Sequence, residues 1–400
     1  DGMTIHAAEA LSRSACAVTI DSAGAQLSLL DSEIGVEDGA TTDVACAIGV
    51  LARDATNVSI TNSQVFGFNP GSQIDAPVVD AAAACIGAGS GAVQLIDSSF
   101  RPFGGTVPAG VTSLYGVIID ANTLRISRSR VYARGMRGLH GLEVGAASVA
   151  GLFAHVQNSV NVDNSVFLTP RGGTVNDALR VEAPGTPILL SLVHVTANVG
   201  DDWSDLNEVT PGHHSAAVRI VGDVDHLELT NSLLSHAGGY SPTGVVAALN
   251  LEQSGPLCDY KLRGNAMAVP AVPFGNGRGG LIVTNAAALE FGITNAPNAA
   301  GSYPGGACSA GSEASQNLAM TQPLSGADSV DKVPTLDSVG YPVSHTAGGI
   351  LYTASRDALL GGGIPLNTPG LAAYAIIGTD ASGTARPMSG PPSIGAYTDP

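Results

Sequence analysis

The chain has 400 residues, 44% of them hydrophobic and 13% charged, with a formal net charge of −17. An acidic surface of that strength disfavours nucleic acid and anionic membranes as partners. Without a long unbroken apolar run, no transmembrane segment is expected. Aromatic residues make up only 4%, so a core must come from Val, Ile, Leu and Ala. A bound calcium ion is compatible with this charge, although nothing in the composition requires a cofactor.

In chain order, the opening DGMTIHAAEALSRSACAVTI has no basic start followed by an apolar stretch, so an exported protein would be a processed form. Its IHAAEALSR portion is expected to form a short capping helix. A repeat follows: apolar-x-apolar, a turn residue, then Ser-x-apolar. It reads LSLLDSEI (27–34), VSITNSQV (58–65), VQLIDSSF (93–100), LRISRSRV (124–131), VNVDNSVF (160–167), a weaker ILLSLVHV (188–195) and LELTNSLL (227–234). The aligned positions are Ser32, Ser63, Ser98, Ser129, Ser165, Val193 and Ser232, spaced by 28 to 39 residues. A short apolar strand precedes most copies, as in CAVTI (16–20), CAIGV (46–50), LRV (179–181) and AVRI (217–220).

Short alternating strands between turn residues read as β-structure. A period near 30 residues with three strands per unit predicts one coil of a right-handed parallel β-helix (solenoid), an all-β fold of about nine to eleven coils. The β-helix is assigned to 1–297, with degraded coils over 245–297. The Gly- and Pro-rich segment 298–400 is expected to be an irregular tail packing on the β-helix or capping it, because open strand edges need cover. Alternation places Val58, Ile60, Ser63 and Val65 inside, and Ser59 and Gln64 outside. Asn62, Asn164 and Asn231 suit a left-handed turn and stacked amide ladders.

Of the five cysteines, Cys16 and Cys46 are expected to stack in adjacent coils, with Cys85 as a further member. Buried thiols are favoured there over a bridge. Cys258 and Cys308 lie in loop-rich sequence and are the disulfide candidates. No Cys/His spacing points to a metal site.

The coils resemble the β-helix repeats of exported bacterial surface proteins, and the final segment resembles the ending of the choice-of-anchor Q domain family. The residues that carry the resemblance are GYPVS (340–344), Ala385-Arg386-Pro387 and SIGAYTD (393–399), with Ser393 and Thr398 where the family has Asp and Glu. The resemblance implies export and attachment to a cell surface, so an extracellular or cell-surface location. It brings no catalytic residues.

Two constellations carry possible chemistry. Glu143, Arg180 and Arg219 hold the outward place of the first strand in LEV, LRV and VRI and would form a ladder if those coils stack consecutively. The polar loop 199–218 beside them supplies Asp201, Asp202, Asp205, Glu208, His213, His214 and Trp203, the only tryptophan. His140 and Asp177 each precede a ladder residue by three positions. Facing carboxylates do acid and base work on glycosidic bonds, Arg binds a uronate bidentately, and Trp203 would stack on a sugar ring. Asp201, Asp202, Glu208, His213 and Arg219 are therefore the catalytic candidates, and Glu143, Arg180, Trp203 and Arg219 the ligand-binding ones. Glu–Arg pairs across coils are also ordinary cross-strand neighbours. The second constellation is the cluster Arg125, Arg128, Arg130, Arg134 and Arg137, suited to an anionic polysaccharide. The leading expectation is a structural or adhesive protein whose partners are a polysaccharide or copies of itself. The alternative is a polysaccharide lyase or glycoside hydrolase at the middle coils.

Overall fold

The computed structural model describes residues 3–7, 14–36, 46–68, 80–89, 91–103, 113–133, 148–169, 175–199, 214–236, 245–254, 257, 259–268, 281–284, 287–291, 297–299, 313–315, 317–320, 335–336, 342–343, 345–347, 350–352, 363–365, 379–386 and 392–396. Among these residues every regular element is a strand and none is a helix. Most of the strands stack in parallel as a β-solenoid with three columns, while Leu281–Thr284, Ala287–Phe291 and Pro297–Ala299 pair antiparallel, as do two short two-stranded pairs at 335–343 and 345–352.

The third column is a ten-stranded parallel sheet running from Met3–Ala7 and Ser32–Val36 to Ala266–Ala268 and Leu318–Met320. The first column includes Ser14–Asp21, Cys46–Arg53, Asp80–Gly87, Val175–Glu182, His214–Val221 and Val245–Glu252, each paired in parallel with the next coil. The second includes Gln26–Leu30, Asn57–Thr61, Ala92–Ile96, Ile188–Val193 and Val224–Thr230. Ser113–Ser127 and Ser148–Asp163 run through the corner between first and second columns and belong to both.

The expected inside holds, with Val58, Ile60, Ser63 and Val65 buried; of the two residues expected outside, Gln64 is exposed and Ser59 is half-buried. Equivalent apolar residues form continuous interior stacks, such as Ile60, Leu95, Ile126, Val162, Leu192 and Leu229. Full burial of each such side chain is worth about 1.5–3 kcal/mol.

The bend between second and third columns explains the Ser motif. Asp31, Asn62, Asp97, Arg128, Asn164, His194 and Asn231 all have φ between 43° and 55° there. This left-handed conformation crowds Cβ and is easiest for Asn and Asp. Except after His194, the next residue is an inward serine. Its hydroxyl donates to the carbonyl two residues back, as Ser98 Oγ does to Ile96 O at 2.7 Å. It also accepts the amide of the preceding coil's serine. Ser32 N, Ser63 N, Ser98 N and Ser129 N each reach the next hydroxyl at 3.1 Å. Asn265 and Asn317 continue the ladder by their side-chain carbonyls, at 2.9 Å from Ser232 N and 3.2 Å from Asn265 N.

Several expectations are corrected. Met3–Ala7 is a strand paired with Ser32–Val36, so the segment does not open in a helix. In the weak copy the serine place belongs to Val195, whose amide bonds Ser232 Oγ at 3.0 Å, while Val193 pairs with Asp163 one step earlier. His194, not a usual turn residue, takes the left-handed position and shifts the count by two. The cysteines do not stack: Cys16 pairs in register with Ile48, and Cys85 with Leu51 and Ile118. Asn62, Asn164 and Asn231 form no amide ladder, because Asp97 and Arg128, then His194, intervene between them.

A feature absent from the expectations is a column of small residues in the first strands: Gly49, Ala83, Gly116, Gly151, Ala178, Ala217 and Ala248. Here the third-column strand crosses close behind. A Cβ on Gly116 would lie 2.4 Å from Gly151 O and 2.6 Å from Val131 Cγ1.

The described parts of the C-terminal segment dock along the bend. Asn231 binds Ile364 in both directions, with Nδ2 to Ile364 O at 2.8 Å and Ile364 N to Oδ1 at 2.7 Å. Gly395 N donates to Asn231 O at 2.7 Å, and Ala396 N to Thr196 Oγ1 at 2.9 Å. Asn164 donates to Thr379 O at 2.6 Å and accepts from Arg386 Nε at 3.0 Å. Arg386 also donates to Gly395 O at 3.0 Å, which joins the Ala-Arg-Pro and Ser-Ile-Gly-Ala stretches. Gly395 has φ 98°, and a Cβ there would meet Thr196 Oγ1 at 2.8 Å, so only glycine fits.

Candidate functional site

The first-column face of the middle coils is a grid set by register. One outward row reads Ile118, Phe153, Arg180, Arg219 and Asn250. The row before it reads Tyr115, Ala150, Asp177, Ala216 and Ala247, and the row after it reads Asp120, His155, Glu182, Val221 and Glu252. Arg180 and Arg219 are therefore ladder neighbours, as the sequence predicts. The place before Arg180 belongs to Phe153. Glu143 lies outside the described residues, as do His140, Asp201, Asp202, Trp203, Asp205, Glu208 and His213. Cys258 and Cys308 lie outside them too.

The arginines of the grid are paired within it. Arg180 Nη2 bonds Glu182 Oε1, and His155 Nε2 meets Glu182 Oε2 at 2.7 Å. Burial works to raise the Glu182 carboxyl, but Arg180 and His155 outweigh it and hold it below the ordinary carboxylate value. The Arg180 guanidinium stands 5.0 Å over the Phe153 ring, and Phe153 packs edge-on to His155 with ring centres 4.8 Å apart. Arg219 Nη2 pairs with Glu252 Oε1 at 2.7 Å, and Asn250 Nδ2 donates to the same oxygen at 2.9 Å.

Asp177 is the most perturbed carboxyl of this face. It is fully buried, and burial pushes its carboxyl up to about 7 against the pull of Arg219 and Arg180. Oδ1 accepts the Ala216 amide at 3.1 Å; Oδ2 has no hydrogen bond and lies 3.7 Å from Arg219 Nη1.

Glu182, Glu252, His155 and the Ser215–His236 contact were not singled out from sequence. Glu182 and Glu252 follow the ladder position by two in LRVE and LNLE, and that recurrence is a readable signal. Ser215 Oγ and His236 Nε2 are 2.6 Å apart and both residues are buried. The single hydroxyl proton goes to Asn176 O at 2.8 Å, so the imidazole donates to Ser215 and does not activate it as a nucleophile. Among the described residues, no group of three or more His, Cys, Asp or Glu is placed to hold a metal ion.

Part of the arginine cluster forms a second polar feature. Arg101, Arg128 and Arg130 line a groove with Asn62, Ser63, Gln64, Asp97, Ser98 and Ser99 on the open side of the bend. Arg134 and Arg137 lie outside the described residues, and Arg125 projects from the second column, exposed. No family model, curated protein or solved structure matches the chain.

Proposed function

We propose that this protein is an exported β-solenoid with a structural or adhesive role at a cell surface or in an extracellular matrix, in contact with polysaccharide. The observation that carries the reading is that the arginines of the middle-coil face are engaged in contacts within the stack. Glu182 binds Arg180 on its own strand and His155 of the coil before, and Arg219 pairs with Glu252 of the next coil. Such pairs are the ordinary currency of a stacked sheet. The C-terminal resemblance to the choice-of-anchor Q family supports the location. Antibody fractionation of the native host tests it: the protein is expected in the surface or medium fraction, and recovery confined to the cytosol refutes export.

A second reading has one specific observation in its favour. The Asp177 carboxyl, held near neutrality beside Arg219, has the character of an acid in polysaccharide cleavage. A panel of acidic and neutral polysaccharides incubated with the protein, with Asp177→Asn and with Arg219→Ala decides between the two. Turnover by the unaltered chain that Asp177→Asn abolishes would establish the enzyme; no product from any member of the panel leaves the scaffold reading.

A further inference from the structure

The groove at Arg101, Arg128 and Arg130 lies away from the middle-coil face, and its construction follows from the solenoid. Gln64, Ser99 and Arg130 are register neighbours on the outer side of the third column, and Arg101 stands two residues beyond Ser99. Asn62, Asp97 and Arg128 form its other rim, thrown outward by the left-handed bend. The rungs are about 4.8 Å apart, so the groove crosses successive coils and presents one polar side chain per step. One end meets the docked tail, where Arg130 Nη2 donates to Ala381 O at 3.1 Å.

Among its described lining residues three are arginines and one is a carboxylate, Asp97, held at 2.6 Å by both Nε and Nη2 of Arg128. The Arg101 guanidinium carbon lies 4.1 Å from the centre of the Tyr132 ring. Stacking fixes the plane of the fork, the geometry that suits two parallel bonds to an oxyanion. The nine described lining residues are all polar or charged. A protein partner would want an apolar or aromatic centre, and none of these nine offers a ring on which a nucleic-acid base could stack.

We propose that this groove binds an acidic polysaccharide, with carboxylate or sulfate groups on Arg101 and Arg130 and hydroxyls on Gln64, Ser99 and Asn62, the glycan lying along the stacked rungs. The inference deepens the contact with polysaccharide proposed above, by naming its place and its charge. It does not depend on export: a cytosolic protein that binds in this groove would sink the surface role alone, and a surface protein that does not bind would sink the groove alone.

The test is titration calorimetry of the full chain against a polyuronate oligosaccharide, its methyl-esterified form, a sulfated oligosaccharide and inorganic sulfate. Binding is expected to the polyuronate, the sulfated glycan or both, at least about tenfold tighter than to the ester or to sulfate, the worth of a charged hydrogen bond. Whichever acidic glycan binds identifies the group recognised. Arg101→Gln is expected to weaken binding about tenfold or more, Arg101→Lys by less, and exposed Arg125→Gln by under about twofold, as a screened distant charge. Arg101 carries the test because Arg130 also holds the tail, and each variant is checked for an unchanged melting temperature. Absence of binding to both acidic glycans overturns the proposal. So does an equal loss with Arg125→Gln, which would mean a diffuse field, or equal affinity for inorganic sulfate, which would mean a small-ion site.

Discussion

Ser129→Ala tests the account of why the coils stack. Its hydroxyl accepts from Ser98 N at 3.1 Å and donates to Ser127 O at 3.0 Å, both in the buried interior of the bend. Alanine keeps the volume but leaves the Ser98 amide without that acceptor. Desolvation of an unpaired buried donor costs about 1–3 kcal/mol, so local opening should become about five- to 150-fold more frequent. Hydrogen exchange read amide by amide is the suitable assay, because a long solenoid need not unfold in one step. Loss of protection should centre on Ser98 and fade over neighbouring coils. The ladder also predicts coupling. Ser98→Ala with Ser129→Ala should be non-additive by about 0.5 kcal/mol or more, whereas Ser32→Ala with Ser232→Ala, far apart, should add. Unchanged exchange at Ser98 in Ser129→Ala would refute the idea that the hydroxyl ladder holds the bend.

Gly116→Val places atoms within 3 Å of Gly151 O and Val131 Cγ1; overpacking of this kind costs about 1–3 kcal/mol or more, and an unchanged melting temperature would remove the close-crossing account. Asp177 binds its proton more tightly folded than unfolded, since its carboxyl is raised to about 7. Its contribution is full below the unfolded value of 3.8 and is lost as pH rises to about 7, so Asp177→Asn should flatten the decline in stability across that window, measured by thermal melting. His194 has the opposite sign: burial first, then Arg386, hold it well below 6.5. Stability there falls as pH drops below the unfolded value, and His194→Asn, which also suits the left-handed bend, should restore melting temperature at pH 5. Asn231→Ala removes both side-chain bonds to Ile364, and should speed proteolysis within the C-terminal segment while amides near Ser98 stay protected.

The solenoid was legible because its rules are local. Alternation, a turn residue and an inward Ser recur in each copy, and each has a steric or hydrogen-bonding reason. What escaped was whatever depends on the space between copies. Cys16 and Cys46 sit before similar strands, but the corner that follows holds four residues in one coil (22–25) and three in the next (54–56), and Cys46 pairs with Ser14, two residues short of Cys16. The rung from Asn265 to Asn317 spans 52 residues, so the period vanishes from the sequence although the strands continue to pair. The same limit applies to the site. Arg180 and Arg219 were found by their place in the strand. Phe153 was not put beside them, because Ser148–Asp163 carries no outward charge at that step.

The docked tail supplies a reason why the outer wall changes character along its length. Before the tail, outward third-column positions are Gln64, Ser99 and Arg130. Beneath it they become apolar or fully buried: Tyr132, Val166 and Leu168 pack with Ala381 and Ala396 in a small core of their own. A strand that buries both faces has lost its alternation because something covers it. Val166–Thr169, Thr196–Val199 and Leu233–His236 are buried at every residue, and these are the strands beside Asn164, His194 and Asn231. The bend asparagines are therefore best understood as paired with the tail. Where a described tail residue makes contact, the side chain is an amide or a neutral imidazole that can be buried; at the other bends it is Asp31, Asn62, Asp97 or Arg128, bonded to one another as Asn62 is to Asp31 and Arg128 to Asp97. Among the described residues, charge at the bend thus begins where the tail contacts end, and the arginine groove lies at that border.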